Sequence, residues 1–524
     1  MERFPRMLED QAATIAFLKQ PSTYGLSNPV EVMETHLSVI FLAGERAFKL
    51  KRAVRLPYLD FSTPPLRLAA CEKEVELNTR TAPGLYLGVR HIRRKANGDL
   101  TFDGSGEFVD AVVEMMRFEQ GCLFDQMAVE GKLELSHMDQ VAGIIAEFHR
   151  AAPVVHTRGG PAAMRAVLDI NEAAFADTPL FPPDAVQNLN ASFRSALEHH
   201  ASLLDRREAM GKVRRCHGDL HLRNICLLNG APRLFDCIEF NDAIATVDTL
   251  YDLAFLLMDL GHRDLPHFAN RVINRYLDTA GDDDGFCLLP FFMALRAAIR
   301  AHVTATQIAE TDGQSDELLA RAQSYFQLAS ALLRPTSPCL VAIAGLSGSG
   351  KTTVAELLAP RIGSPPGARI LESDRIRKAI HGVSPETRLG EDAYGADISA
   401  KVYAELGVRA RLILSGGATA IVDAVFANAR DRLFLERTAQ DVGAEFAGIW
   451  LDTDADVLRR RVQLRTGGPS DATVEVLERQ LQQDLGPIGW IRIDAGVSAA
   501  GIVEQILQLP LVSAWPFYRI VPAT

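Results

Sequence analysis

Gly345-Leu346-Ser347-Gly348-Ser349-Gly350-Lys351-Thr352 fits G-x-x-x-x-G-K-[ST] without a gap. Glycines at these spacings let the backbone curl until successive N–H groups face phosphate oxygens. Lys351 then reaches the β- and γ-phosphates, and Thr352 holds a magnesium ion. An apolar run, Cys339–Ala344, reads as the strand that leads in. A helix from Thr353 to Leu358 reads as the continuation, its positive end turned to the anion. The expected ligands are ATP and Mg2+, with Gly345, Ser347, Gly348, Ser349, Gly350, Lys351, Thr352 and Thr353 around the phosphates.

Downstream, apolar runs alternate with helical stretches. Strands are expected at Ala368–Leu371, Ala418–Val422, Phe446–Leu451 and Trp490–Ile493, which argues for a parallel sheet covered on both faces. Just past the second strand lies Ser373-Asp374-Arg375-Ile376-Arg377. Asp374 can take the proton of a substrate hydroxyl while arginine steadies charge; a helix N-cap is the competing reading. Asp423 ends the next strand, where a carboxylate can hold magnesium through water or simply begin a turn. Arg459, Arg460, Arg461 and Arg465 fall on one helix. Arg461 and Arg465 are four apart and share a face, aimed at a γ-phosphate or at solvent.

From Cys339 to about Val497 the chain resembles the P-loop small-molecule kinases such as gluconate kinase, and more loosely zeta toxins and adenylate kinase. The resemblance implies that Arg461 and Arg465 are lid arginines. Arg432, nine residues after Asp423, likewise resembles the arginine often found after the family's Asp-Ala-x-Phe stretch, here Asp423-Ala-Val-Phe426.

Upstream, Arg334-Pro-Thr-Ser-Pro338 carries two prolines in five residues and no apolar period, so 335–338 read as a linker. A cut there is expected to give two separately folding halves. The region 1–334 changes texture near Gln120. A β-rich small lobe (about 29–118) has strand-like runs at Val30–Met33, Leu37–Leu42, Ala47–Leu50, Leu85–Ile92, Leu100–Phe102 and Phe108–Met116. A helix opens at Pro64-Pro65. An α-rich large lobe follows (about 119–334).

In the large lobe, His217-Gly218-Asp219-Leu220-His221-Leu222-Arg223-Asn224 is followed twelve residues later by Asp236. One aspartate meets a hydroxyl, an asparagine five residues on folds back to a metal, and a carboxylate after a hairpin binds the same metal. Asp219 is the expected base, with Asn224 and Asp236 as magnesium ligands. This pattern resembles the Brenner-type motif of the aminoglycoside phosphotransferase family, relatives of protein kinases.

The resemblance implies a strand lysine for the α- and β-phosphates. Lys49 is favoured, and Lys51, on the same strand face, stays open. It also implies a helix glutamate partner, for which Glu74 is favoured over Glu72 and Glu76. No G-x-G-x-x-G precedes Lys49; Glu34-Thr-His-Leu-Ser38 occupies its place. Both parts together look like a bacterial family known as bifunctional aminoglycoside phosphotransferase/ATP-binding protein. The fold expected is an α+β bilobal protein-kinase-like domain followed by an α/β P-loop NTPase domain (339–524).

The 524 residues suit two or three domains, and the net charge of −11 argues against a nucleic-acid partner. Seven cysteines without a C-x-x-C pair suit free thiols in a cytoplasmic setting rather than a zinc site. The N-terminus lacks an apolar core, and the short apolar runs at 251–260 and 287–295 suit core helices, so no membrane association is expected. The function expected is ATP-dependent phosphotransfer to the hydroxyl of a small molecule. Two alternatives are a regulatory ATP-binding switch and a toxin-like kinase acting on a protein or nucleotide sugar. The acceptor and the oligomeric state are open.

Overall fold

The computed structural model describes residues 9–56, 58–156, 159–310, 315–464, 468–509 and 512, without side-chain detail at 309 and 310. Two compact units divide the chain. The first takes Met1–Asn190, Leu197–Asp259 and Ile299–Gln323; the second takes Ala191–Ala196, Leu260–Ala298 and Ser324–Thr524. The units therefore interleave in sequence, and the expected linker at 335–338 lies inside the second.

The first unit opens with a short helix, Ala12–Lys19, and a six-stranded antiparallel sheet. In spatial order its strands are Glu31–Glu34, Ser38–Ala43, Arg46–Lys51, Glu107–Met116, Tyr86–Arg94 and Leu100–Phe102. Alternation along Arg46–Lys51 sends Phe48 and Leu50 to one apolar layer, with Leu18, Phe41 and Val112. Lys49 and Lys51 go to the other side, toward the helix Pro64–Asn78. That helix buries Cys71 beside Ala47, Ala111 and Val113. Its two opening prolines sit where the first N–H groups have no helical partner anyway.

The rest of the unit is largely helical. It includes Leu135–Ala151 and Gly160–Ala176, and a hairpin, Ile225–Leu228 with Ala231–Leu234, that follows the 217–224 segment.

In the second unit five parallel strands run in the order Arg369–Glu372, Ala420–Asp423, Cys339–Ala344, Glu445–Asp452, Ile491–Asp494. The central strand is buried along its whole length, as a sheet covered on both faces requires. The phosphate loop and the ends of the second and third strands in sequence meet at the carboxyl edge, where such sheets bind ligands.

The helix Pro266–Ala280 and the turn after it are ionically tied to this sheet. Arg369, 1 % exposed, donates to Asp283 at 2.7 Å, to Asp278 at 2.7 Å and to the Asn274 side chain at 2.9 Å. Arg275 joins Glu372 at 3.1 Å and Glu356 at 2.7 Å. A separately folding sheet domain from 339 is therefore not what the contacts describe. The 260–298 segment supplies partners for a buried arginine of the sheet.

The apolar runs at 251–260 and 287–295 are buried almost throughout. Among the described residues one helical stretch, Asp283–Ile308, is long and apolar enough to cross a bilayer, and about two thirds of its most apolar window is buried in the protein.

Candidate active sites

In the first unit the strand, the helix and the post-hairpin loop bring their charges together. Lys49 Nζ lies 2.8 Å from Glu74 Oε1 and 2.5 Å from Asp236 Oδ1. Glu74 is fully buried. Burial works against its charge, yet the two lysines beside it win and take its carboxyl down to about 2. Burial likewise opposes the Lys49 ammonium, but Asp236 and Glu74 hold its pKa well above the ordinary lysine value. Glu72 is exposed and Glu76 pairs with Lys73 on the surface, so neither competes for the lysine. Lys51 meets the same glutamate through its other oxygen, at 2.5 Å, and pairs with Glu239 as well.

The 217–224 segment is held from beneath. Asp252, wholly buried, accepts hydrogen bonds from the backbone N–H groups of Gly218 at 2.7 Å and His217 at 3.2 Å. His149 Nε2 lies 3.1 Å from the same carboxylate. Gly218 takes φ +85°, and a Cβ there would come within 3.0 Å of Ile238 and 3.1 Å of Ala245, so glycine fits for space as well as backbone.

His217 is buried, its Nε2 2.9 Å from the Phe235 carbonyl, which ties the segment to the approach to Asp236. Asn224 Nδ2 donates to the Asp219 backbone carbonyl at 2.9 Å and to its carboxylate at 3.0 Å, so the two residues five apart do face each other. His221 Nε2 stands 3.3 Å from the same carboxylate. The glycine-poor turn Glu34–Ser38 is braced by Arg52, which donates to the Thr35 carbonyl at 2.9 Å and to Glu34 at 2.6 Å. Sequence reasoning missed Asp252 and Glu239. Glu239 had a weak signal, lying three residues after Asp236; Asp252, inside an apolar helical run, had none.

In the second unit a cavity of about 720 Å³ opens over the phosphate loop. Its lining includes Ser347, Gly348, Gly350, Lys351, Thr352 and Thr353 of the loop, together with Asp374, Arg377, Tyr394, Tyr403 and Asp423. Gly345 takes φ +140°, and a Cβ there would meet Ser349 Oγ at 2.7 Å and the Leu451 carbonyl at 2.9 Å. Lys351 starts the helix Lys351–Leu358, two residues earlier than expected, and its Nζ rests 3.1 Å from the Leu346 carbonyl. Thr352 Oγ1 donates to Asp423 Oδ2 at 2.6 Å.

A hydroxyl and a carboxylate in contact are the all-oxygen donor pair that Mg2+ takes. The side-chain oxygen of Ser349 is buried without a protein partner. These residues fit ATP and Mg2+.

Burial pushes the Asp423 carboxyl up to about 7, with Lys351 and the Thr352 hydrogen bond pulling the other way. The unfolded chain ionises this group near 3.8. The native state therefore holds the proton more tightly. That stabilisation is full below the unfolded value and is lost as pH rises to and through about 7. Scanned across pH without ligand, the thermal midpoint of Asp423→Asn is expected to lack this downward component. Magnesium–nucleotide binding should strengthen over the same rise, as the carboxylate forms; a pH-independent difference between the two proteins would contradict this.

Asp374 sits in the first turn of Ser373–Ile380, with Glu372 at the cap position, so the N-cap reading of Asp374 gives way. Burial raises its pKa against the pull of its hydrogen bond with Ser470. Arg377 lies over the Tyr394 ring at 4.7 Å and donates to the Ala393 carbonyl. Arg375 faces away, pairing with Glu372 and Asp278.

Arg461 reaches the Gly348 carbonyl at 3.4 Å and the Ala495 carbonyl at 3.1 Å, against the phosphate loop. Arg465 lies outside the described residues. Arg459 turns to Glu478 and Asp456. Arg432 donates to four backbone carbonyls, those of Phe426, Ala427, Leu485 and Pro487, and so braces two loops.

Residues 100–287 match the phosphotransferase enzyme family, and residues 340–484 match an AAA domain family. Uncharacterised proteins of Mycobacterium tuberculosis (strain H37Rv) and Mycobacterium bovis are 29 % identical over 473 residues, covering 87 % of this chain and 91 % of theirs.

Among solved structures, a choline/ethanolamine kinase family protein from Mesorhizobium loti is 15 % identical. The match covers 63 % of this chain and 95 % of that one, with a TM-score of 0.41. A gluconokinase from Sinorhizobium meliloti is 24 % identical over 33 % of this chain and 91 % of that one, with a TM-score of 0.25.

Both matched families are kinase-like, and phosphotransfer from a nucleotide is the chemistry they indicate. One segment of the chain thus matches the phosphotransferase enzyme family and a later one matches a P-loop kinase-like AAA domain family.

Proposed function

We propose that the protein is a kinase with two ATP–magnesium sites, each moving a phosphoryl group to the hydroxyl of a small molecule. The observation that carries the reading is the meeting of Lys49, Glu74 and Asp236 in one unit whose Asp219 and Asn224 also face each other. In this reading Lys49 holds the α- and β-phosphates, Asn224 and Asp236 hold magnesium, and Asp219 accepts the hydroxyl proton.

In the second unit Lys351 and the loop N–H groups hold the phosphates, and Thr352 and Asp423 hold magnesium. Asp374 is the base, with Arg461 and Arg465 steadying the transferring group. Magnesium, when bound, would offset the negative charge of the phosphates. Free cysteines and the absence of any zinc-type spacing suit a cytoplasmic setting.

The test is ADP release from the full chain across sugars, polyols, aminoglycosides and nucleosides, repeated with Lys49→Ala and Lys351→Ala. Losing a charge-assisted phosphate contact is expected to cost at least tenfold in rate, which ~1.4 kcal/mol of transition-state binding already represents. Each variant should silence one activity and spare the other, and the double variant should be additive. If Lys351→Ala alone removes both activities, independent sites are wrong and the regulatory switch takes their place.

A further inference from the structure

We propose that Lys51 and Glu239 are positioning residues of the first unit's phosphate site, keeping Glu74 paired and in place when Lys49 engages a nucleotide. This inference rests on the kinase reading above, which asks Lys49 to meet phosphates and Asp236 to meet magnesium.

Glu74 is wholly buried and spends Oε1 on Lys49 and Oε2 on Lys51. Residues 49 and 51 are two apart on one strand, so both ammonium groups reach the same side of the sheet. Their surroundings differ. The Lys49 side chain keeps 13 % of its exposure and meets Asp236, itself 41 % exposed, whereas Lys51 keeps 2 % and meets Glu239 at 6 %. Lys51 also lies 5.3 Å over the Phe61 ring. Lys49 is thus the lysine at the open side, and Lys51 stands behind it.

Removing the cation from a buried ion pair leaves an uncompensated charge, which is strongly destabilising. With one lysine, every demand a phosphate made on that lysine would fall on Glu74. Here two lysines stand against three carboxylates. If Lys49 and Asp236 turn together to ATP and magnesium, one positive and one negative group leave, and Lys51 remains between Glu74 and Glu239.

Glu239 follows Asp236 by three residues, so its pairing with Lys51 also ties the metal-binding loop to the strand. The chain lacks a glycine-rich loop ahead of this strand. The second lysine gives the site a fixed point that does not depend on one.

The experiment uses the full chain carrying Lys351→Ala, so that nucleotide binding reports the first unit. Lys49→Met, Lys51→Met, Lys51→Arg and Glu239→Gln are compared by amide hydrogen exchange without ligand and by calorimetric titration with ATP–magnesium.

In the ligand-free protein Lys51→Met is expected to speed exchange in the Pro64–Asn78 helix about tenfold beyond Lys49→Met, because only Lys51→Met strands Glu239 as well. Lys51→Met and Glu239→Gln should also weaken ATP–magnesium binding, and Lys51→Arg should restore most of both. Equal exchange in Lys49→Met and Lys51→Met, or wild-type binding by Lys51→Met, overturns the proposal. If even the parent protein binds no ATP at the first unit, the kinase reading of that unit fails. The exchange comparison then still decides whether Lys51 is what holds Glu74.

Discussion

Asp219→Asn is expected to lower turnover at the first unit's site by roughly 10²–10⁴ while leaving nucleotide binding and stability close to wild type. The substitution keeps the side chain's shape and removes its basicity. The Asp219 side chain is 40 % exposed, so the amide that replaces it stays within reach of water. An asparagine oxygen can still accept from Asn224 Nδ2, which lies 3.0 Å from the present carboxylate, so the loop keeps its local tie.

Asp252→Asn is the informative contrast. That carboxylate is fully buried and carries the N–H groups of His217 and Gly218. Its loss should therefore depress the thermal midpoint as well as the rate. The measurement is single-turnover phosphoryl transfer on an identified acceptor, with thermal unfolding of both variants. Full turnover by Asp219→Asn would remove it as the base.

Much of this was legible because the chemistry is local. Phosphate loops and metal-binding segments impose fixed spacings, so Gly345–Thr352 and His217–Asn224 stand out in the sequence, and each lies where its pattern implied. Short apolar runs likewise gave the strands around Lys49 and the five strands of the parallel sheet to within a residue or two.

What stayed hidden is pairing between charges far apart in sequence. Nothing at Lys49 or Lys51 says which one faces the open side; that depends on Asp236 and Glu239, nearly 190 residues on. Periodicity could not single out Glu74 from Glu72 and Glu76 until the sheet fixed the buried face of the helix. Arg432 matched a family arginine by spacing, and only the fold shows that it donates to four carbonyls of neighbouring loops. Asp374 could be read as a cap by its place after a strand, yet Glu372 takes the cap position and Asp374 falls in the first turn of the helix.

The same blindness to distant charge governs where the chain can be divided. A fragment beginning at 339, chosen for the proline-rich stretch before it, is expected to be insoluble or to unfold far more readily than one beginning at 260. Arg369 is the reason. Its guanidinium is almost wholly buried and is met by Asp278, Asp283 and Asn274, all upstream of the cut. The Ile370 N–H donates to the Asn274 side chain as well, and Asn270 donates to the Ala368 carbonyl.

Cutting at 339 removes all of these partners from the sheet's edge strand at once. A broken buried pair costs about 3–5 kcal/mol, a large share of the stability of an ordinary domain. The upstream acids also set local charge. Arg369, Arg275 and Arg375 hold the Asp278 carboxyl below its usual range although burial opposes them, so the contact is ionic in the working pH range.

Expression of 339–524 and 260–524 side by side, read by solubility and ATP-induced thermal shift, checks the expectation. Arg369→Met in the full chain should reproduce part of the loss, since it leaves Asp283 with Arg409 and Asp278 with Arg275 and Arg375. If 339–524 folds and binds ATP as well as the longer fragment, the buried arginine tolerates water in place of its acids. The 260–298 segment then lies against the sheet without supporting it.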